Sequence, residues 1–256
     1  MSEQDRTLLD DVIRLIQTER ELYGDFSTDT DSEPVQKVEP EKSESSGIVN
    51  PEPQTDPVPE LTLKEKLAAC SDLEQLKAFC SKSDELKTDL EDTNLVFGVG
   101  NPQADLMLIG EAPGEQEDKQ GEPFVGPAGQ LLNKILKAVN FERDDVYIAN
   151  ILKHRPPGNR NPEPEERQRS LPYLMRQIEL INPKLILCLG RVSGTTLLKK
   201  EESLKNMRGR FHKFRDIEMT VTYHPAALLR KQQWKRPTWE DVQMVRKRYD
   251  ELVGKP

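Results

Sequence analysis

The stretch DLMLIGEAPGEQEDKQGEPFVGPAGQLL, residues 105–132, decides how the chain folds. Leu106 to Ile109 is a short apolar run, the mark of a buried strand. It breaks at Gly110 into a loop crowded with carboxylates: Glu111, Glu115, Glu117, Asp118 and Glu122. Prolines and glycines, among them Pro113, Gly114, Gly121 and Gly129, give that loop rigid and permissive backbone points. The loop then meets Leu131, Leu132, Ile135 and Leu136, which have helical spacing. Strand, polar loop and helix form the usual entrance to an α/β active site. A solvated acidic surface loop is the ordinary alternative. Phe124 and Val125 argue against it, because an apolar pair among carboxylates needs somewhere to be buried.

The same pattern recurs downstream. Val146 to Ala149 reads as a strand ending at Asn150, Leu185 to Leu189 as one ending at Gly190, and Met219 to Thr222 as one ending at Tyr223 and His224. Helical spacing covers about 128–139, 164–181, 191–199 and 238–252. Strands alternating with helices predict a parallel sheet covered on both faces. Apolar runs without period-two alternation fit strands buried on both sides. The expected fold is a three-layer α/β/α arrangement around a central, mainly parallel four-stranded sheet.

Upstream, Leu95 to Val99 reads as a strand before the turn Gly100-Asn101-Pro102. Gly98-x-Gly100 lacks a third glycine and a following helix, so it is no dinucleotide fingerprint. Thr62-x-x-Glu65 and Ser71-x-x-Glu74 are capping-box patterns that open short helices over about 62–70 and 72–81. Residues 24–60 hold six prolines, many serines and acids, and few large apolar side chains, which predicts a disordered linker. Residues 1–23 carry an amphipathic helical pattern that could dock on the main domain or on another protein. The folded domain is expected over 61–256.

Composition points to a partner. Residues 1–150 carry 14 Lys+Arg against 33 Asp+Glu, while residues 151–256 carry 23 against 12. A basic half in a chain of net charge −8 suggests an anionic partner, most often nucleic acid. Three cysteines without a CxxC pair exclude a disulfide framework. The N-terminus has no signal-peptide pattern, and no apolar run approaches the ~20 residues that cross a bilayer. A soluble, cytoplasmic, nucleoid-associated monomer is expected.

Glu111, Asn150 and His224 each stand just past the C-terminal end of a predicted strand, the edge where open α/β sheets bind ligands. Singly, each has a bland explanation as a solvated acid, a turn cap or a structural imidazole. Together, beside Phe124, they suggest a site. Lys153, His154 and Arg155 open a stiff basic loop suited to phosphate contacts. His224-Pro-Ala-Ala-Leu-Leu-Arg230 sets an apolar pair beside a cation, like a wedge pushed into a base stack.

These segments, in this order and spacing, resemble the type-four, thermostable-type uracil-DNA glycosylases over roughly 62–250. The shared motifs are Gly110-Glu-Ala-Pro-Gly114 with Glu117-Asp118, Gly121-x-Pro-Phe-Val-Gly126-x-Ala-Gly129, and Asn150-x-x-Lys-x-Arg-Pro-Pro-Gly-Asn159. Leu189-Gly190, Arg208-Gly-Arg210 and His224 to Arg230 complete them. The resemblance implies a monofunctional enzyme that flips uracil out of DNA, duplex or single-stranded, and hydrolyses its N-glycosidic bond. It implies that Glu111 positions the attacking water and that His224 donates to uracil O2. It places Phe124 under the base, Asn150 on its polar edge, Glu117 near C5, and Gly110 and Gly114 in the pocket wall. Leu228 would be the wedge, with Lys153, Arg155 and Arg230 near the DNA backbone. Flipping is least costly at a mismatch, so U·G should be preferred to U·A.

The family typically carries a [4Fe–4S] cluster on four cysteines. Here Cys80, Ser83, His154 and Ser170 stand at those positions. One thiolate and one imidazole cannot replace four thiolates, so no cluster is expected. Zinc at Cys80 and His154 would lack two protein ligands. The alternative functions are a non-catalytic uracil-DNA or single-strand binding module and, more weakly, a nucleotide hydrolase, which lacks a Walker-type loop and a metal-ligand set.

Overall fold

The structure is a computed structural model and describes residues 61–254. The amphipathic segment 1–23 and the linker 24–60 lie outside the described residues. Six strands form one sheet in the order β1-β3-β2-β4-β6-β5. They are β1 (Val99–Gly100), β2 (Leu106–Gly110), β3 (Tyr147–Asn150), β4 (Leu185–Leu189), β5 (His212–Phe214) and β6 (Ile217–Thr222). The four central strands are the expected parallel ones, and β1 and β5 add an antiparallel edge on either side.

Successive side chains of β2 point to opposite faces, and the two cores follow from that. Leu106 and Leu108 pack with α4 (Pro127–Ala138) and with Trp239, Val242 and Val245 of α9 (Lys235–Val253). Met107 and Ile109 pack with Leu174, Ile178 and Ile181 of α5 (Pro164–Ile181) and with Leu197 of α6 (Arg191–Leu198). All five residues of β2 are buried, as a strand covered on both faces requires. A third cluster sets α1 (Leu63–Ala69) and α2 (Leu73–Cys80) against Tyr173 of α5.

Several local expectations change. The Thr62–Glu65 capping box forms. At α2 the cap is Asp72, which accepts from Gln75 N at 2.8 Å, while Ser71 N donates to the Gln75 side chain. The carboxylate caps more strongly than the hydroxyl one residue earlier. The acidic loop contains a short helix, α3 (Glu115–Gln120), with three acids in its first turn. Acids there favour the positive end of the helix dipole. Only the last residue of the expected strand at 95–99 joins the ladder. Two further α-helices among the described residues are α7 (Leu204–Met207) and α8 (Pro225–Arg230). No described helix is long and apolar enough to cross a membrane.

β3 lies on one side of β2 and β4 on the other, so the crossover from β2 to β3 and the one from β3 to β4 run in opposite directions across the sheet. The crevice this opens lies beyond the carboxyl ends of the strands. The segments after β2, β3 and β6 all supply residues to it.

Candidate active site

A cavity of about 360 Å³ occupies that crevice, with Glu111, Glu117, Phe124, Asn150, His224 and Arg230 in its wall. Three sequence-distant segments therefore meet, as their shared place at the strand ends predicts. The loop beyond β3 adds Asn159, Arg160 and Asn161. The sequence marks that loop as basic and rigid but gives no sign that these three residues reach the pocket.

Asn150 ends β3 and is 1% exposed. Its Oδ1 is buried and has no hydrogen-bond partner. An orphaned amide oxygen is costly, and a wall that keeps one is shaped for a donor on a ligand. A Cβ on Gly110 would stand 2.3 Å from that oxygen and 2.7 Å from the Phe124 ring. Only glycine lets amide and ring meet there.

Phe124 holds a left-handed backbone, φ 55°, unusual for a bulky residue. The neighbourhood enforces it. Arg143 donates to the Phe124 carbonyl at 3.2 Å and to the Pro123 carbonyl at 2.5 Å. Glu117 Oε1 accepts from Val125 N and Gly126 N, both at 2.9 Å. Gly129 lets α4 approach, since a Cβ there would stand 1.8 Å from the Phe124 carbonyl oxygen. The ring ends 5.4 Å from the His224 ring, centroid to centroid, with 31° between planes. Glu117 is thus a clamp on the Phe124 segment as well as a piece of pocket wall. Arg143 carries no sequence signal for its part in this.

His224 caps α8: its Nδ1 accepts from Ala226 N at 3.2 Å. A nitrogen that accepts from a backbone N–H carries no proton, so in the neutral ring the proton sits on Nε2. Burial, with Arg230 adding to it, pushes the imidazole pKa down to about 4, so the ring is neutral at pH 7. Glu111 is half-buried; burial raises its pKa, and the Arg167 guanidinium opposes the rise. Arg167 Nε is itself buried without a hydrogen-bond partner.

Two expected DNA contacts do not survive. Lys153 is fully buried, and its Nζ donates to the carbonyls of Phe97 (3.2 Å) and Asn150 (3.0 Å) and to Gln177 Oε1 (2.5 Å). Its charge faces neutral acceptors inside the protein, so it secures β3 instead of meeting phosphate. Leu228 is 1% exposed and belongs to the core under α8. The half-buried Leu229 and exposed Arg230 reach the surface instead. The helix turns Leu228 fully inward, while Leu229 packs only at the edge of the same core. Arg155 Nε donates to Asn159 Oδ1 of its own loop at 2.8 Å.

Three of the four positions that hold cluster cysteines in the resembling family are hydrogen-bonded within the protein. Ser83 donates to Phe79 O at 2.9 Å and Ser170 to Ile151 O at 2.6 Å. His154 Nδ1 lies 3.0 Å from Thr93 Oγ1. Burial pushes the Cys80 thiol up to about 12. Among the described residues no three His, Cys, Asp or Glu side chains gather to hold a metal. These residues do not fit a [4Fe–4S] cluster held by four cysteine thiolates.

Residues 97–243, more than half of the chain, match the family model for the Uracil DNA glycosylase superfamily. The chain is 40% identical over 184 residues to a Type-4 uracil-DNA glycosylase of Archaeoglobus fulgidus, covering 69% of this chain and 89% of that protein. It is 45% identical over 163 residues to one of Sulfurisphaera tokodaii, covering 60% and 74%. It is 40% identical over 161 residues to one of Thermotoga maritima, covering 61% and 84%. The aligned stretches are long enough to span the strands, the pocket loops and the helices that hold them. The chain therefore belongs to the uracil-DNA glycosylase superfamily, within its type-4 branch.

Proposed function

We propose that the chain removes uracil from DNA by hydrolysing the N-glycosidic bond, releasing free uracil and leaving an abasic site. The observation that carries this is the buried, unpartnered Oδ1 of Asn150 beside the Phe124 ring. Uracil N3–H would donate to that oxygen, and the same amide's nitrogen would donate to O4. Cytosine has an acceptor at N3 and a donor at its exocyclic amine, so it leaves the amide mismatched. Phe124 supplies the face on which the flipped base stacks.

The chemistry develops negative charge on the leaving base and positive charge on the sugar. His224, neutral with its proton on Nε2, is a donor for uracil O2 as that charge grows. Glu111, ionised, would hold the attacking water and stabilise the sugar cation. Arg230 at the pocket mouth suits the DNA backbone.

We further infer that the enzyme works without an iron–sulfur cluster. The hydrogen bonds of Ser83, His154 and Ser170 stand where thiolates would be required. The loop after β3 is secured instead by Arg160, which makes a bidentate pair with buried Glu166 at 2.8 and 2.9 Å. Purified protein should be colourless and free of iron; a brown preparation with stoichiometric iron overturns this.

The activity is tested by incubating the full chain with a uracil-containing oligonucleotide, then alkali. Strand cleavage at the uracil is expected. Folded protein that cleaves neither single- nor double-stranded substrate, yet binds it, would instead mark a binding module.

A further inference from the structure

The chain leaves β6 through Tyr223, makes α8, and comes back at Trp234 before α9 begins. The two rings at the base of this excursion stack, with centroids 4.9 Å apart and planes within 12°. Each ring also carries a cation. Lys231 Nζ lies 5.3 Å from the Trp234 centroid, and the Arg208 guanidinium 5.9 Å from that of Tyr223. Arg208 is itself fixed. It grips buried Asp241 of α9 through two hydrogen bonds, at 3.0 and 2.9 Å, and Thr222 donates to the same carboxylate at 2.7 Å. Thr238 of α9 closes the other side by donating to the Trp234 carbonyl at 2.8 Å.

A helix of six residues has no stability of its own. α8 is held inward by Leu228 and at its base by this stack. Leu229 packs half-buried at the edge of the same core, while Arg230 stands exposed at the pocket mouth. An element that parts stacked bases must not yield when pushed, because the cost of unstacking falls on it.

We propose that the Tyr223–Trp234 stack makes α8 stiff enough to open duplex DNA, and that Trp234 is a positioning residue for base flipping. The proposal rests on the reading of α8 as the DNA-facing element given above. Trp234 touches neither the base pocket nor the reacting atoms. Its contribution is therefore specific to substrates with a base stack to open. A single strand presents the uracil already unpaired and needs no wedge.

The test compares single-turnover excision from a U·G duplex and from the same uracil strand alone, using the full chain. Trp234→Ala should lower the duplex rate roughly tenfold, the order expected for losing an aromatic stack and a cation–π contact. It should change the single-strand rate by less than about twofold on the same grounds. Trp234→Phe, which keeps a ring in the stack, should restore most of the duplex rate. An equal loss on both substrates, or a duplex rate unmoved by Trp234→Ala, overturns the proposal while leaving the glycosylase reading intact. A wild-type chain inactive on both substrates removes the two together.

Discussion

Gly110 and Asn150 are register partners on neighbouring parallel strands, and the Asn150 amide oxygen fills the space a side chain on Gly110 would need. One missing methyl group on β2 therefore sets the position of the recognition amide on β3. Gly110→Ala should displace Asn150 or Phe124, since the new Cβ would lie 2.3 Å from one and 2.7 Å from the other. Misplacement of about 1 Å costs on the order of 100-fold in rate, and overpacking costs about 1–3 kcal/mol in stability. Steady-state kcat/KM and a thermal melt would show both. A variant with wild-type kcat/KM would mean that the amide is not held by this contact.

His224 has its pKa pushed from 6.5 to about 4, chiefly by burial. Between those values the unfolded chain takes up the proton and the folded chain does not. Stability from this residue is thus present above about pH 6.5 and falls as the pH drops toward about 4. Denaturant midpoints at pH 7 and pH 5 should differ more for the wild type than for His224→Gln. Activity should show no limb from this ring between pH 5 and 8, and His224→Ala should lower kcat by about 100-fold or more.

Glu111 must be ionised to hold water and face the sugar cation. Burial raises its pKa, so the acid limb of kcat/KM should lie above the ordinary value of 4.5. Arg167 works in the opposite direction. Arg167→Met should move the limb further up while leaving the rate on the alkaline side nearly unchanged. Glu111→Gln should lower the plateau by about 100-fold or more, the scale of a lost acid–base group. A limb that stays put in the Arg167 variant would disconnect the pair.

Lys153 is buried among neutral acceptors, and burial pushes its pKa down to about 7. From about pH 7 to its ordinary 10.5 the unfolded chain binds the proton more tightly than the folded one. Stability should therefore rise with pH across that window in the wild type, and the rise should be missing in Lys153→Met. The same variant unties the Asn150 carbonyl from Gln177 and Phe97, and should cost roughly tenfold in kcat/KM. Chemical denaturation at pH 7 and pH 9 separates the two effects.

The layered fold is legible because its signal is local and repeated. Apolar runs such as Leu185 to Leu189 end in glycine or a polar residue, and each does so at one sheet edge. Glu111, Asn150 and His224 are legible for the same reason, since topology alone brings strand ends together, and Phe124 is legible as an apolar residue among carboxylates. Lys153 is misread because sequence shows its charge but not Gln177, Phe97 and Asn150 folding around it. Leu228 and Leu229 cannot be told apart without knowing the rotation of α8. Arg143 and Arg167 act across long stretches of chain on Phe124 and Glu111, and no spacing rule carries such contacts. β5 escapes notice because His212-Lys-Phe214 has no apolar run, and only pairing with β6 makes it a strand.

The two ends of the sheet bear on how the molecule behaves in a crowd. β1 has two residues and β5 three, with exposed Lys213 at the centre of β5. Gly98 just before β1 and Gly100 at its end take φ of 153° and 116°, which turns the backbone out of regular pleat. Neither margin offers an incoming strand a straight row of free N–H and C=O groups, and the lysine adds repulsion. The four parallel strands between them are thereby kept from templating their own kind. Native samples should stay clear by light scattering at high concentration, clouding only when the sheet itself opens.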